Sequence, residues 1–118
     1  VIITGMAADN VRRGLVNPLT AGELKQWLAN ADEKPMLLDV RNPDEVHETG
    51  GIGSFLHVPL DDLRQKVEEL PSSPDQPLVV YCRSGHRSYV AARMLIQRGY
   101  RRVYNLVGGI TAWQAAGA

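Results

Sequence analysis

Cys82 is the single cysteine in a chain of 118 residues, and the residues that follow it are of the kinds that make a thiol reactive. The run Cys82-Arg83-Ser84-Gly85-His86-Arg87-Ser88 gathers two arginines, two hydroxyls, a glycine and a histidine immediately after the sulfur. A free cysteine titrates at about 8.5, and hydrogen-bond donors, cations or a helix N-terminus lower that value. Cys82 is therefore expected to be largely thiolate at neutral pH, able to attack an electrophilic sulfur or phosphorus. Gly85 admits the positive φ that a tight cradle of backbone N–H groups needs. Arg83 and Arg87 add positive charge, and Ser88 is placed to cap a following helix. The same donors would hold an anionic substrate or an adduct on the sulfur. The plainer alternative is a buried cysteine that ends a strand. A core filler needs neither arginines nor a glycine nor a hydroxyl, so the reactive reading is preferred.

Such a loop needs a rigid frame. Leu78 to Tyr81 is a short apolar run with β-branched Val79 and Val80, which predicts a buried strand leading into Cys82. Ser88 to Arg98 predicts a helix stopped at Gly99. Thr20 and Glu23 have capping-box spacing ahead of Leu24, Trp27 and Leu28, an amphipathic helix ending near Asn30. Met36 to Val40, Phe55 to Val58 and Val103 to Leu106 read as further strands, and Asn17-Pro18-Leu19 as a short extended piece. Pro43 to Glu48 reads as a polar turn or short helix. Leu63, Val67 and Leu70 mark another helix, Pro71 to Pro77 a loop, and Ile110 to Ala116 a last helix after Gly108-Gly109. Apolar strands alternating with amphipathic helices predict an α/β fold with a central, mostly parallel five-stranded sheet flanked by helices. In such sheets ligands bind at the carboxyl ends of the strands, where Cys82 would lie.

Composition closes off other classes. Thirteen Lys and Arg balance thirteen Asp and Glu, so bulk charge offers nothing to nucleic acid. The longest apolar run, Leu78 to Cys82, is far too short to span a bilayer, and no secretion signal opens the chain, which makes the cytoplasm the expected compartment. One thiol excludes an internal disulfide and a multi-cysteine metal site. His47 and His57 have no companions at metal spacing and read as surface or packing residues, so no metal is expected. Gly50-Gly51-Ile52-Gly53 follows no convincing strand and is rejected as a phosphate loop.

Four motifs in order resemble the rhodanese-like sulfurtransferase family. Cys82 to Ser88 looks like its persulfide-forming loop, and Leu38-Asp39-Val40-Arg41-Asn42-Pro43-Asp44-Glu45 is similar to its early Asp-Val-Arg motif. Val58-Pro59-Leu60 resembles its middle turn, and Gly108-Gly109-Ile110-Thr111-Ala112-Trp113-Gln114-Ala115-Ala116-Gly117 resembles its C-terminal signature. The resemblance covers about Leu19 to Gly117. It implies a rhodanese-like fold and sulfur transfer through a Cys82 persulfide, from a small-molecule donor such as thiosulfate or a low-molecular-weight persulfide to a small-molecule thiol, cyanide or a reductase. Cys82 is then the catalytic residue, with Arg83, Ser84, Gly85, His86, Arg87 and Ser88 binding substrate. His86 is given a rim contact and no proton transfer. Four residues separate Cys82 from Arg87, where the tyrosine phosphatases have five, so the ring resembles the sulfur-transferring members. A phosphatase or arsenate-reductase type of enzyme and a non-catalytic rhodanese-like binding module remain the rivals.

Asp39 and Arg41 are expected to support the site structurally, through a salt bridge such as Arg41 with Glu45. Trp27 and Trp113 are expected in the core. Ser54-Phe55 departs from the family's usual Gly-Ala at this point, and Phe55 is expected to add apolar wall near the pocket. Residues 1–16 read as a connector and 17–118 as the domain. Ala7 to Gly14 resembles the segment that follows the dimerisation domain in flavin-dependent coenzyme A-disulfide or persulfide reductases, some of which carry a C-terminal rhodanese domain. With Val1 in place of Met, this predicts a domain excised from such a fusion. FAD, NAD(P)H and coenzyme A are implied only for that upstream part, no cofactor is expected in this domain, and the isolated domain is expected to be monomeric.

Overall fold

The computed structural model describes residues 15–30, 32–70, 73 and 75–117. The predicted connector over 1–16 falls almost entirely outside the described residues. Five strands form one sheet: β1 (Asn17–Leu19), β2 (Met36–Asp39), β3 (Leu56–His57), β4 (Leu78–Tyr81) and β5 (Val103–Leu106). The strand order is β1-β5-β4-β2-β3, and every pairing is parallel. The expected third strand is shorter than Phe55 to Val58 and sits at an edge. All strands end at one side of the sheet, with Asp39 in register with Tyr81 at the carboxyl ends of β2 and β4.

The alternation of side chains divides the core in two. Leu37, Val79, Tyr81, Tyr104 and Leu106 face one layer with Leu24, Trp27 and Ile110. This layer is covered by α1 (Ala21–Asn30) and α5 (Gly109–Ala115). Trp27 meets Tyr104 edge to face, with ring centroids 5.1 Å apart. Leu38, Leu78, Val80 and Val103 face the other layer with Leu63, Ala91, Ala92 and Leu95. That side is covered by α3 (Leu60–Lys66) and α4 (His86–Gln97), while α2 (Pro43–Thr49) lies near the carboxyl ends with none of its side chains buried. Leu63, Val67 and Leu70 are all buried as their spacing predicts, although the helix tightens to a 3₁₀ turn over Val67–Glu69. No helix among the described residues is long and apolar enough to cross a membrane.

Local chemistry explains the boundaries near the site. The Thr20 and Glu23 capping box forms, with the Glu23 N–H donating to Thr20 Oγ1 at 3.1 Å and the Thr20 N–H to Glu23 Oε1 at 2.9 Å. Helix α4 begins at His86, two residues earlier than predicted, with Gly85 as its N-cap at φ +112°. Ser88 therefore does not cap the helix as expected. It is a buried residue of the first turn. Phe55 likewise departs from expectation: it packs on the layer that contains Leu37, Ile52 and Tyr81, not on the wall of the thiol loop. Trp113 is only partly buried, against the same layer.

Helix α5 clamps the residues that carry the sulfur. The Ile110 N–H donates to the Cys82 carbonyl at 2.9 Å, and the Thr111 N–H to the Arg83 carbonyl at 3.3 Å. Gly109 makes this approach possible. A Cβ there would stand 2.4 Å from the Cys82 carbonyl oxygen, at a residue with φ +58°. Backbone cannot yield as a flexible side chain can. Gly109→Ala is therefore expected to destabilise the fold by about 2–4 kcal/mol, from overpacking and left-handed strain together. Urea denaturation of the two proteins measures the difference.

Candidate active site

Cys82 is the residue after β4, and alternation puts its side chain on the Leu78 and Val80 face, under the N-terminus of α4. Cys82 is buried, at 1% exposure. The first-turn N–H groups of a helix have no partner within it and point outward from its N-terminus. Here that turn bends around the sulfur. The Gly85 N–H donates to Cys82 Sγ at 3.1 Å, and the Ser88 Oγ lies 3.4 Å from it. Burial on its own pushes the thiol up, but the Ser88 hydroxyl and the N–H groups of Ser88, Gly85 and Ser84 outweigh it, and the thiol titrates below its ordinary value.

The direction of that shift agrees with expectation. Hydrogen-bond donors lead it, and Arg87 also interacts with the sulfur while its guanidinium is engaged elsewhere. Arg87 is held by Glu45 as a two-pronged ion pair, Nη1 to Oε1 at 2.6 Å and Nη2 to Oε2 at 2.8 Å. Glu45 also accepts the Asn42 N–H at 3.1 Å, so α2 holds the carboxylate in place for the loop. The hydrogen bond from Arg87 leads the causes that hold the Glu45 carboxyl down at about 2. The expected Arg41–Glu45 salt bridge is replaced by this pair. Arg41 pairs instead with Asp39, Nη2 to Oδ2 at 2.7 Å, both side chains fully buried. Its remaining donors reach Thr49 Oγ1 and the Gly50 carbonyl, each at 2.7 Å. Asp39 and Arg41 thus tie β2 to the end of α2, a structural role, and Asp39 lies on the opposite face of the sheet from the sulfur. Arg83, Ser84 and His86 are exposed around the rim.

One functional group is absent from the sequence reading and another is paired differently there. Glu45 was assigned to the wrong arginine. Asn105 was passed over inside an apolar strand, although a polar residue there was the available signal. Its position two after Val103 turns it toward α4, where its Nδ2 donates to the Gly85 carbonyl at 3.2 Å. That contact fixes which end of the amide faces Ser88, and the Ser88 hydroxyl donates to Asn105 Oδ1 at 2.5 Å. One hydroxyl has one proton. Ser88 gives it to Asn105 or to the thiolate, so β5 and the sulfur share a single donor.

A family model for the rhodanese-like domain matches residues 20–116. The chain belongs to the rhodanese-like family. A sulfurtransferase of Allochromatium vinosum is 41% identical over 103 residues, covering 87% of this chain and 92% of that protein. The thiosulfate sulfurtransferase GlpE of Coxiella burnetii is 30% identical over 92 residues, 78% of this chain and 83% of its own length. Among solved structures, reduced CoADR-RHD of Bacillus anthracis superposes with a TM-score of 0.71 at 37% identity. The match covers 92% of this chain and 18% of that larger one.

Within this rhodanese-like domain, Ser88→Ala removes the hydroxyl that leads the donors lowering the thiol. The pH midpoint of Cys82 alkylation by iodoacetamide is expected to rise in that variant. The Glu45–Arg87 pair adds a second pH dependence. A carboxyl held below its unfolded value stabilises the fold above pH 4.5, and that stability is lost as pH falls toward about 2. Acid titration followed by circular dichroism should show a shallower loss over this window in Glu45→Gln.

Proposed function

We propose that this domain is a rhodanese-type sulfurtransferase that carries a sulfane sulfur on Cys82. The donor is thiosulfate or a low-molecular-weight persulfide. The observation that carries the reading is the buried Cys82 sulfur at the carboxyl end of β4, with the Gly85 N–H donating to it at 3.1 Å. A ring of backbone N–H groups around one thiol can hold the thiolate and, after transfer, the added sulfur. Kinship with sulfurtransferases that match over most of their own length supports the same reading.

The chemistry proceeds in two half-reactions. The Cys82 thiolate attacks the outer sulfur of thiosulfate, the S–S bond of the donor breaks, and sulfite leaves with the bonding electrons. Cys82 then bears a persulfide whose terminal sulfur is negative. The N–H groups of Ser84, Gly85 and Ser88, together with those of His86 and Arg87 in the first helical turn, offset that charge. Arg83 attracts the anionic donor. Arg87, engaged by Glu45, braces the far end of the loop. In the second half-reaction a thiolate or cyanide attacks the terminal sulfur and restores the Cys82 thiolate. No oxidant or reductant is consumed in either step.

The acceptor is another molecule or domain, because the chain has no second thiol. We read a flavin reductase domain upstream as the acceptor, with FAD and NAD(P)H belonging to that domain. The resemblance of Ala7 to Gly14 to such a connector supports this, as does the likeness to part of the larger CoADR-RHD chain.

Incubation with thiosulfate or glutathione persulfide, followed by intact mass, tests the function. The wild-type protein is expected to gain one sulfur atom that dithiothreitol removes, and Cys82→Ser to gain none. Hydrolysis of a phosphate ester with no sulfur gained from any donor would overturn the reading in favour of a phosphatase.

A further inference from the structure

We propose that the cleft beside the thiol loop binds the amino-acid end of a zwitterionic persulfide, with Arg83 taking its carboxylate and Glu48 its ammonium group. The proposal rests on the sulfurtransferase reading above and names the class of donor for that site.

The cleft lies between α2, α5 and the start of the thiol loop and has a volume of about 160 Å³. That is more than ten times the roughly 10–15 Å³ that accommodates one water. Four charged side chains line it: Arg41, Glu45, Glu48 and Arg83. Two of these are already engaged, Arg41 by Asp39 and Glu45 by Arg87. Glu48 and Arg83 make no side-chain ion pair or hydrogen bond among the described residues. They border one cleft, carry opposite charges, and do not reach each other.

Opposite charges held apart across a cleft complement a ligand that carries both signs. An α-amino acid does so on a single carbon, and cysteine persulfide adds the transferable sulfur on a short arm. Thiosulfate carries negative charge only and leaves Glu48 facing an anion. The remaining lining suits the same ligand, with Ile110 as apolar floor and Thr111 and Gln114 as neutral polar groups. The α5 clamp joins this wall to the sulfur-bearing segment, since Ile110 and Thr111 hold the carbonyls of Cys82 and Arg83. A donor held in the cleft thus lies against Arg83 and the backbone of the segment that carries the sulfur. In the transfer the Cys82 thiolate attacks the outer sulfur of R–S–SH, and the bond between the donor's two sulfurs breaks. R–S⁻ leaves with that electron pair, and the outer sulfur keeps its hydrogen as Cys82–S–SH.

The test compares two donors that differ in one group, cysteine persulfide and 3-mercaptopropionate persulfide, which keeps the carboxylate and lacks the ammonium. Loading of Cys82 in the full chain is followed by intact mass, and the ratio of the two second-order rates is taken. The ratio is expected to favour cysteine persulfide in the wild type and to fall about threefold to tenfold in Glu48→Gln, the size of one partly exposed charged contact. Arg83→Ala is expected to slow both donors and leave the ratio near its wild-type value. An unchanged ratio in Glu48→Gln, or no effect of Arg83→Ala on either donor, overturns the donor assignment while Cys82 still loads. Failure of every donor, thiosulfate included, to load the wild type overturns the sulfurtransferase reading itself.

Discussion

Everything at the site depends on one geometric constraint, the parallel sheet with β4 inside it. Parallel strands deliver their carboxyl ends to a single edge, and the chain must leave β4 there and turn back through a helix. Alternation along the strand then leaves Cys82 no choice of face. With Leu78 and Val80 buried against α4, the side chain two positions on points to the same side, beneath the first turn of that helix. The thiol is thereby desolvated, which disfavours the thiolate, and surrounded by the N–H groups of the loop and first helical turn, which favour it. The donors win, and the thiol is lowered. The clamp from α5 onto the Cys82 and Arg83 carbonyls holds this balance from the other side of the strand.

The distribution of charge follows from the same frame. A net charge of zero conceals a local sorting in which each cation near the loop has a distinct task. Arg41 is buried with Asp39 and its donors are spent on the end of α2. An ion pair buried so completely is costly to form, and its extra hydrogen bonds to Thr49 and Gly50 offset that cost. Arg87 is spent on Glu45, which links α2 to α4 across the mouth of the site. Only Arg83 keeps a free guanidinium at the rim, among the described residues that border the cleft. Positive charge thus shapes the loop and meets the donor, and N–H and hydroxyl dipoles lead in holding the anion on sulfur, with Arg87 adding to them.

Much of the frame was legible because it rests on local rules. The capping box at Thr20 and Glu23, the apolar run of β4, and the spacing of Leu63, Val67 and Leu70 each state a structure within a few residues of themselves. Helix α4 starts earlier than its apolar pattern because its first turn is stabilised by Gly85 and faces the sulfur, not the core. The pairing of Arg41 differs from expectation for another reason. Asp39, Asp44, Glu45 and Glu48 all lie near Arg41 in the chain while Arg87 has no carboxylate close to it, and only the packing of α2 against the loop decides which one each arginine reaches. Phe55 lies with the layer that holds Leu37 and Tyr81, residues that only the folded sheet brings near it.

The amino-acid sequence alone determined that a lone cysteine ends a buried strand, that a glycine-containing loop and a helix follow it, and that the strands lie parallel. These are consequences of hydrophobic period, backbone freedom and capping chemistry, all of short range. Tertiary structure decided that Ser88 shares its proton between Cys82 and Asn105, that Glu45 takes Arg87, and that Arg83 and Glu48 border one cleft. Those contacts join residues as much as forty-two positions apart, as in the Arg87–Glu45 pair. Hydrogen bonds and ion pairs act over a few ångströms, so such partnerships exist only once the sheet has brought the segments together.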